Sequence, residues 1–155
     1  MFPQPIKIRN FQTGDLDALY EIDQTCFPED IAFSRAELTF YLSHSASIAR
    51  VAEEDGRIIG FVLARIESPV FAHVLTLDVV PEVRRRKIGT ALMEELHGML
   101  GERGIRISIL EVATGNAAAQ RLYEKMQYEY LETLSGYYHG RGDAYRMARL
   151  IPLRE

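Results

Sequence analysis

Four consecutive cations, Arg84, Arg85, Arg86 and Lys87, follow Pro81 and precede Ile88, Gly89 and Thr90. An apolar run with strand character (Val74, Leu75, Leu77, Val79, Val80) leads into them, and a helix-spaced set (Ile88, Leu92, Leu96, Met99, Leu100) leads out. The cations therefore stand at a strand-to-helix junction, where the N–H groups of the first helical turn lack partners within the helix. Main-chain donors and fixed positive charge together suit an anion, most naturally a phosphate or pyrophosphate. A solvated basic loop is the plainer reading. It leaves the sign of the charge unexplained, because Lys and Arg at a helix start oppose the macrodipole.

A second group with chemical potential lies in the run IRISILEV, residues 105–112. Strand parity puts Ile105, Ile107, Ile109 and Glu111 on one face. A carboxylate in line with three isoleucines is costly if buried without partners. Two readings stand: Glu111 is the wet, frayed end of the strand, or it is a base beside a cleft. Ligands of α/β sheets gather at the carboxyl ends of strands, which is where Glu111 sits. Tyr123 follows on the next helix, so the two side chains offer a base and an acid from adjacent elements. Asn116 is a natural helix N-cap, and its amide could equally bond a ligand.

Other chemistry-bearing residues read as structural. Cys26 lies in an apolar helical pattern beside Phe27 and is expected to be a buried thiol. His44, His73, His97 and His139 are scattered, with no two at ligand spacing on one element, so no metal site is expected. His73 opens the strand that precedes the basic loop and is kept as a spare base. Glu53, Glu54 and Asp55 read as a solvated turn.

The elements that would position these groups follow from periodicity and turn chemistry. Ile6, Ile8 and Phe11 suggest a first strand. Thr13 to Asp15 start a helix with Leu16, Leu19, Tyr20 and Phe27 at helical spacing, ended by Pro28. Ser34 with Glu37 is a capping-box signal for a short second helix through Phe40 to Leu42. Residues 47–54 and 57–66 form strands around the hairpin turn Asp55-Gly56. A strand over about 72–80 follows, then the long helix, ending near Gly101 to Gly104. After the strand at 105–112, Asn116 opens a helix with Ala119, Leu122, Tyr123 and Met126 on one face. Two strands near 128–135 and 143–151 flank the polar tip at residues 138–143. The order β-α-α-β-β-β-α-β-α-β-β predicts an α/β fold, with antiparallel hairpins first and then a right-handed crossover giving a parallel pair.

The chain of 155 residues is read as one domain, 1–155. Its formal net charge of −4 argues against a general nucleic-acid binder, which makes the basic cluster a local site. A single cysteine fits a reducing compartment. The opening MFPQPIKIRN lacks the apolar core of a signal peptide, and no run approaches membrane-spanning length, so a cytoplasmic protein is expected.

Three blocks give the sequence a resemblance to the GNAT acetyltransferase superfamily. The first is Leu77-Asp78-Val79-Val80-Pro81 with Arg84-Arg85-Arg86-Lys87-Ile88-Gly89, similar to the family's strand and its Arg/Gln-x-x-Gly-x-Gly/Ala pyrophosphate loop. The second is Leu110-Glu111-Val112 with the stretch from Asn116 to Met126. The third is Tyr137-Tyr138 with Asp143-Ala144 and Met147. The second and third blocks, with Cys26-Phe27-Pro28 and Phe33-Ser34, most resemble the subgroup that acetylates protein N-termini, which includes the ribosomal-protein alanine acetyltransferases. Two positions depart from the family pattern. The first loop glycine is Lys87, expected to donate its N–H with φ kept negative. The Gly-Phe after the last helix is Gln127-Tyr128, a matter of packing rather than chemistry.

The resemblance implies a mixed central sheet, splayed between the fourth and fifth strands, with acetyl-CoA in the gap as co-substrate and no metal. Cofactor contacts would come from Leu77, Asp78, Val79, Arg84, Arg85, Arg86, Lys87, Ile88, Gly89, Thr90, Asn116 and Tyr123. A strand irregularity near Asp78 and Val79 would free an N–H for the thioester oxygen. Glu111 would be the base, through water, and Tyr123 the acid that protonates the leaving thiolate. Phe33, Tyr137 and Tyr138 would line the acceptor entrance. The acceptor implied is the N-terminal amine of a protein or peptide, such as a ribosomal protein, with no membrane or nucleic-acid partner and a monomer or weak dimer. Rival readings are acetylation of a small amine, a non-catalytic module that binds coenzyme A, and an unrelated nucleotide-binding domain. The last lacks any P-loop or Gly-x-Gly-x-x-Gly turn.

Overall fold

The computed structural model describes residues 5–153. Residues 1–4 and 154–155 lie outside the described residues, and with them part of the predicted leader-free start and the outermost ends of the domain reading. The order is β1 (Lys7–Asn10), α1 (Leu16–Cys26), α2 (Arg35–Ser43), β2 (Ser47–Glu54), β3 (Arg57–Ile66), β4 (Phe71–Val79), α3 (Ile88–Glu102), β5 (Ile107–Ala113), α4 (Ala117–Lys125), β6 (Glu129–Leu134) and β7 (Ala144–Leu150), with 3-10 turns at Thr13–Asp15 and Pro81–Arg86. This is the predicted order. The seven strands form one mixed sheet, β1-β2-β3-β4-β5-β7-β6. β4 and β5 are its parallel pair.

Local chemistry explains the element ends. Asp55 and Gly56 both take positive φ, which closes the tight β2–β3 hairpin. The capping box at α2 forms, with the Glu37 N–H donating to Ser34 Oγ at 3.1 Å and the Ser34 N–H to Glu37 Oε1 at 3.0 Å. α1 stops at Cys26 because Phe27 is already extended ahead of Pro28. β5 begins two residues later than expected. Ile105 is held in the turn, its N–H donating to the Leu100 carbonyl at 3.0 Å and closing α3 after left-handed Gly104.

The core centres on β3, buried continuously from Ile59 to Ala64, with α1, α2 and α3 supplying the cover. Leu19, Leu38, Phe61, Leu63, Leu92 and Leu96 are fully buried there. β3 and β4 approach closely at Gly60, where any Cβ would come within 2.8 Å of the Asp78 carbonyl oxygen. This contact fixes the end of β4 against the core.

The sheet comes apart where function is expected. β4 and β5 pair only over Phe71–Val74 and Ile107–Leu110. Beyond that point β4 stays with β3, while β5 stays with β7 as far as Ala113 opposite Ala144. The expected splay between the fourth and fifth strands is therefore present. The strand irregularity lies elsewhere than predicted: the β3–β4 register slips between Leu63 and Ala64, leaving Leu75 extra, and Asp78 and Val79 pair regularly with Phe61 and Gly60. An extra residue bends its strand. The bend falls one residue past Val74, where β4 leaves β5.

Candidate active site

Two connected clefts open into the gap. The larger, about 740 Å³, is bounded by the α1–α2 loop (Phe27, Pro28, Phe33), by Leu75 to Leu77 of β4, by Leu110 to Ala113 of β5 and by Tyr137, Tyr138 and His139. The smaller, about 280 Å³, lies over Leu77 and Val79 and reaches Arg84, Lys87, Gly89 and Thr90 at the head of α3. Cys26, Phe27, Leu77, Asn116, Ala119 and Tyr123 line both, so they mark the junction.

The smaller cleft has the chemistry of an anion site. The first i to i−4 bond of α3 is Ala91 N–H to the Lys87 carbonyl at 3.1 Å, so the N–H groups of Ile88, Gly89 and Thr90 precede it. Lys87 has φ +62 and ψ +27, in the left-handed region, against the expectation of a negative φ. Lys87 thus holds a conformation that favours glycine, at the cost of steric strain on its side chain. Arg84 lines the cleft and donates from Nε to the Val79 carbonyl at 3.1 Å. A wider groove of about 1130 Å³ adjoins at Arg84 and Lys87 and adds Arg85, Arg121, Lys125 and Arg149. These last three cations were not anticipated, because α4 and β7 meet the basic loop only in the fold.

The other predicted cofactor residues are placed differently. Arg86 is ion-paired with Glu54. Ile88 is core, and the Asp78 side chain is fully buried, so both could meet a ligand only through their main chains. Asn116 acts as N-cap, accepting the Ala119 N–H at 3.2 Å, and also lines both clefts. Cys26 is only half-buried and donates from Sγ to the Val79 carbonyl at 3.4 Å; burial, with Asp78 nearby, pushes its thiol up.

In the larger cleft Glu111 is the centre of a polar cluster. Its side chain is 5% exposed. Oε1 accepts from the Tyr137 hydroxyl at 3.1 Å and pairs with His73 Nε2, while Oε2 accepts from Arg146 Nε at 3.0 Å. Arg146 stands opposite Glu111 in the β5–β7 register and also reaches Glu132 at 2.8 Å. His73 turns its other nitrogen to Glu67 at 3.2 Å, so a chain of polar groups runs from the cleft outward. Burial alone would raise the Glu111 carboxyl. The hydrogen bond and charge of His73, with Arg146 and Tyr137, outweigh it and hold the group below the usual carboxylate range. For His73 burial works downward, and the carboxylates of Glu111 and Glu67 outweigh it, raising the imidazole above its ordinary value. Glu111 is thus not a wet, frayed strand end; it is a largely buried carboxylate that lines the larger cleft.

Tyr123 is 8% exposed, at the junction of the clefts, with its ring edge-on to Tyr128 at 5.8 Å. Burial, first, pushes its hydroxyl well above the ordinary tyrosine range, so it stays protonated. Phe33, Tyr137 and Tyr138 all reach the larger cleft, with Tyr137 and Tyr138 edge-on at 5.0 Å in the turn before β7.

The Acetyltransferase (GNAT) family profile matches residues 16–128. The chain belongs to the GNAT acetyltransferase family. It is 30% identical to an N-alpha-acetyltransferase of Saccharolobus solfataricus, over 92% of this chain and 91% of that one. It is 31% identical to the ribosomal protein bS18-alanine N-acetyltransferase of Escherichia coli, over 94% and 98%. The crystal structure of the Escherichia coli ribosomal-protein-S18-alanine N-acetyltransferase superposes with a TM-score of 0.87, at 27% identity over 97% of each chain. Arabidopsis thaliana NAA60 in complex with acetyl-CoA superposes with a TM-score of 0.83, at 27% identity over 95% of this chain and 99% of that one. The family resemblance and the expectation of an N-acetyltransferase are borne out.

Within this GNAT acetyltransferase, sequence reasoning missed Arg146 and undervalued His73. The signal for Arg146 was a cross-strand opposite-charge pair, readable only once the β5–β7 register is known. Among the described residues no helix is long and apolar enough to cross a membrane, and no group of three or more His, Cys, Asp or Glu could hold a metal ion.

Proposed function

We propose that this acetyltransferase moves the acetyl group of acetyl-CoA to the N-terminal α-amine of a protein or peptide, in a ternary complex. The observation that carries the reading is the larger cleft. It is open between the α1–α2 loop and the Tyr137–Tyr138 turn, reaches Glu111, and meets the smaller cleft at Tyr123. That shape suits a chain end entering from one side and a thioester from the other. The relatives named for N-terminal acetylation support the same acceptor class, a ribosomal protein among them.

The smaller cleft and its basic groove would hold the phosphates on the α3 N–H groups and the cations of Arg84, Arg85 and Lys87. The unpaired edge of β4 beyond Val74 would take the pantetheine arm as an added strand and offer main-chain donors to the carbonyl oxygen. The α-ammonium must lose a proton before its nitrogen can attack. Glu111 faces it across the cleft as carboxylate, and the proton is taken by the Glu111–His73 pair. The amine nitrogen bonds to the carbonyl carbon, the carbon–sulfur bond breaks, Tyr123 gives its proton to the leaving thiolate, and the second proton shed by the attached nitrogen restores the Tyr123 hydroxyl and leaves a neutral amide. No enzyme nucleophile is used. We also read the chain as one cytoplasmic domain, a monomer or weak dimer that acts without membrane or nucleic acid.

The test is thiol release from acetyl-CoA with a panel of peptides whose N-termini are free or blocked. Turnover confined to free N-termini is expected. Equal turnover on blocked peptides, or turnover only on small amines, would overturn the acceptor assignment.

A further inference from the structure

Two carboxyls that the reaction does not use meet behind the wall shared by the clefts. Asp23 of α1 and Asp78 of β4 are both fully buried. Asp23 Oδ2 accepts the Phe33 N–H at 2.7 Å, and Asp78 Oδ1 accepts from the Thr76 hydroxyl. Among the described residues, Asp23 Oδ1 and Asp78 Oδ2 have no such partner. α1 packs on β4, and each of the two carboxyls acts on the other. Carboxylate oxygens only accept, so two carboxyls can bond only through a proton, and one proton would supply the donor that the orphaned oxygens lack.

The pair joins the two halves of the site. Asp23 and its neighbour Gln24 hold both main-chain polar groups of Phe33, since Gln24 Nε2 donates to the Phe33 carbonyl at 2.7 Å. Phe33 lines the acceptor cleft, and Asp78 lies between Leu77 and Val79, which line the cofactor cleft. We propose that Asp23 and Asp78 share one proton and so pin the α1–α2 loop to the cofactor strand, making Asp23 a positioning residue for the acceptor. This rests on the acceptor cleft assigned above.

The surroundings agree. Arg84 is the cation whose field reaches Asp78 from the basic turn. Glu37 of α2 faces Asp23, while Cys26 of α1 and Tyr123 of α4 feel Asp78 as neutral groups. β3 brings Phe61 opposite Asp78 and no charge. Burial first, then Asp23, pushes the Asp78 carboxyl well up. A carboxyl raised on folding binds more proton in the folded than in the unfolded state. Its contribution is complete at pH below the unfolded value and declines as pH rises toward the folded one.

Three proteins test this: the wild type, Asp23→Ala and Asp78→Asn. An amide at 78 keeps a permanent hydrogen for Asp23 and an oxygen for Thr76. Carbon NMR of aspartate-labelled protein should show one carboxyl still protonated at neutral pH in the wild type and absent in Asp78→Asn. Asp23→Ala should raise the acceptor KM about tenfold, with kcat and coenzyme A affinity changed less than about threefold. Asp23→Asn should restore the KM. Absence of a protonated carboxyl overturns the shared proton. An unmoved KM, or one that moves together with coenzyme A affinity, overturns the positioning role. The NMR and coenzyme A titration need no acceptor, so they stand apart from any failure of the acceptor assignment, and Asp23→Asn with NMR decides the matter should Asp23→Ala not fold.

Discussion

The two clefts are built on different principles. The smaller one takes its anion-binding groups from one stretch, Leu77 to Thr90, which is the end of β4, the basic turn and the head of α3, while Cys26 and Phe27 and the residues of α4 only wall it. Its donors are main-chain groups and helix geometry, supplemented by cations. The larger one gathers side chains from four separated segments, around Asp23 to Glu37, His73 to Leu77, Leu110 to Tyr123 and Tyr137 to Arg146. Its donors hold one another: Glu111 is fixed by His73, Arg146 and Tyr137. A backbone-built site should tolerate side-chain change, and Lys87, standing where the family pattern has a glycine, is the position at which to ask. A site built from side chains should not, because each removal leaves its partners unpaired. Substitutions should therefore cut deeply in the larger cleft and mildly in the smaller.

The largest effect is expected for Glu111→Gln. It removes the carboxylate that faces the amine and that raises His73, so turnover should fall about 1000-fold, within the range for a lost general base. The pH dependence should move as well. In the wild type, activity should rise with pH through the titration of the Glu111–His73 pair, above the ordinary imidazole value, because the proton sits on a histidine whose pKa the carboxylates raise. In Glu111→Gln burial of His73 is opposed only by Glu67, so the acid limb should shift to lower pH. An unmoved limb in a kcat/KM profile would put the base elsewhere.

Next comes Tyr123→Phe, which stands where the clefts meet. It should lower kcat about 100-fold while coenzyme A binding by calorimetry stays within about twofold, since only the proton donor is lost. The wild-type hydroxyl is held protonated by burial, so no alkaline loss of activity is expected from it in the usual tyrosine range. An unchanged kcat would take Tyr123 out of the chemistry, and a parallel loss of affinity would make it a packing residue.

The same contrast explains what could be read before the fold was known. The basic turn, the helix start after it, the Asp55-Gly56 hairpin and the Ser34–Glu37 cap are local, and local rules located them. Glu111 was found by parity, but parity could not say which face of β5 is the core. The buried residues are Ser108, Leu110 and Val112, while Ile107 and Ile109 are only half-covered. The buried Ser108 is satisfied by Tyr128, 20 residues on, whose hydroxyl lies at 2.7 Å from it and at 2.8 Å from His97. Burial, with Arg149 adding to it, lowers His97 to about 4, so it is paired as a neutral imidazole. Arg146, the outward-running His73 and the Asp23–Asp78 pair all needed strand register or helix docking. The two departures from the family's glycines, Lys87 and Gln127, are among the four non-glycine residues with positive φ among the described residues, with Asp55 and His139. Both therefore hold, with a side chain attached, a conformation that favours glycine, and they bear the strain of it.

That strain gives the smallest and most specific effect. Lys87→Gly should relieve a left-handed conformation that costs an L-residue roughly 1–2 kcal/mol, offset in part by the greater freedom of glycine in the unfolded chain. A net gain of about 0.5–1 kcal/mol is expected, read as a rise in Tm of roughly 1–4 °C for a domain of this size. Coenzyme A affinity should weaken less than about threefold, because one exposed charge is lost and the N–H groups of Ile88 to Thr90 stay where they are. Lys87→Ala supplies the comparison: it loses the same charge and keeps the same φ, so it should bind coenzyme A like the glycine variant and melt no higher than the wild type. Equal melting of the two variants would mean that position 87 carries no strain. A large loss of affinity in both would mean that the lysine ammonium, rather than the main chain, holds the anion, and the difference drawn between the two clefts would then fail at its smaller one.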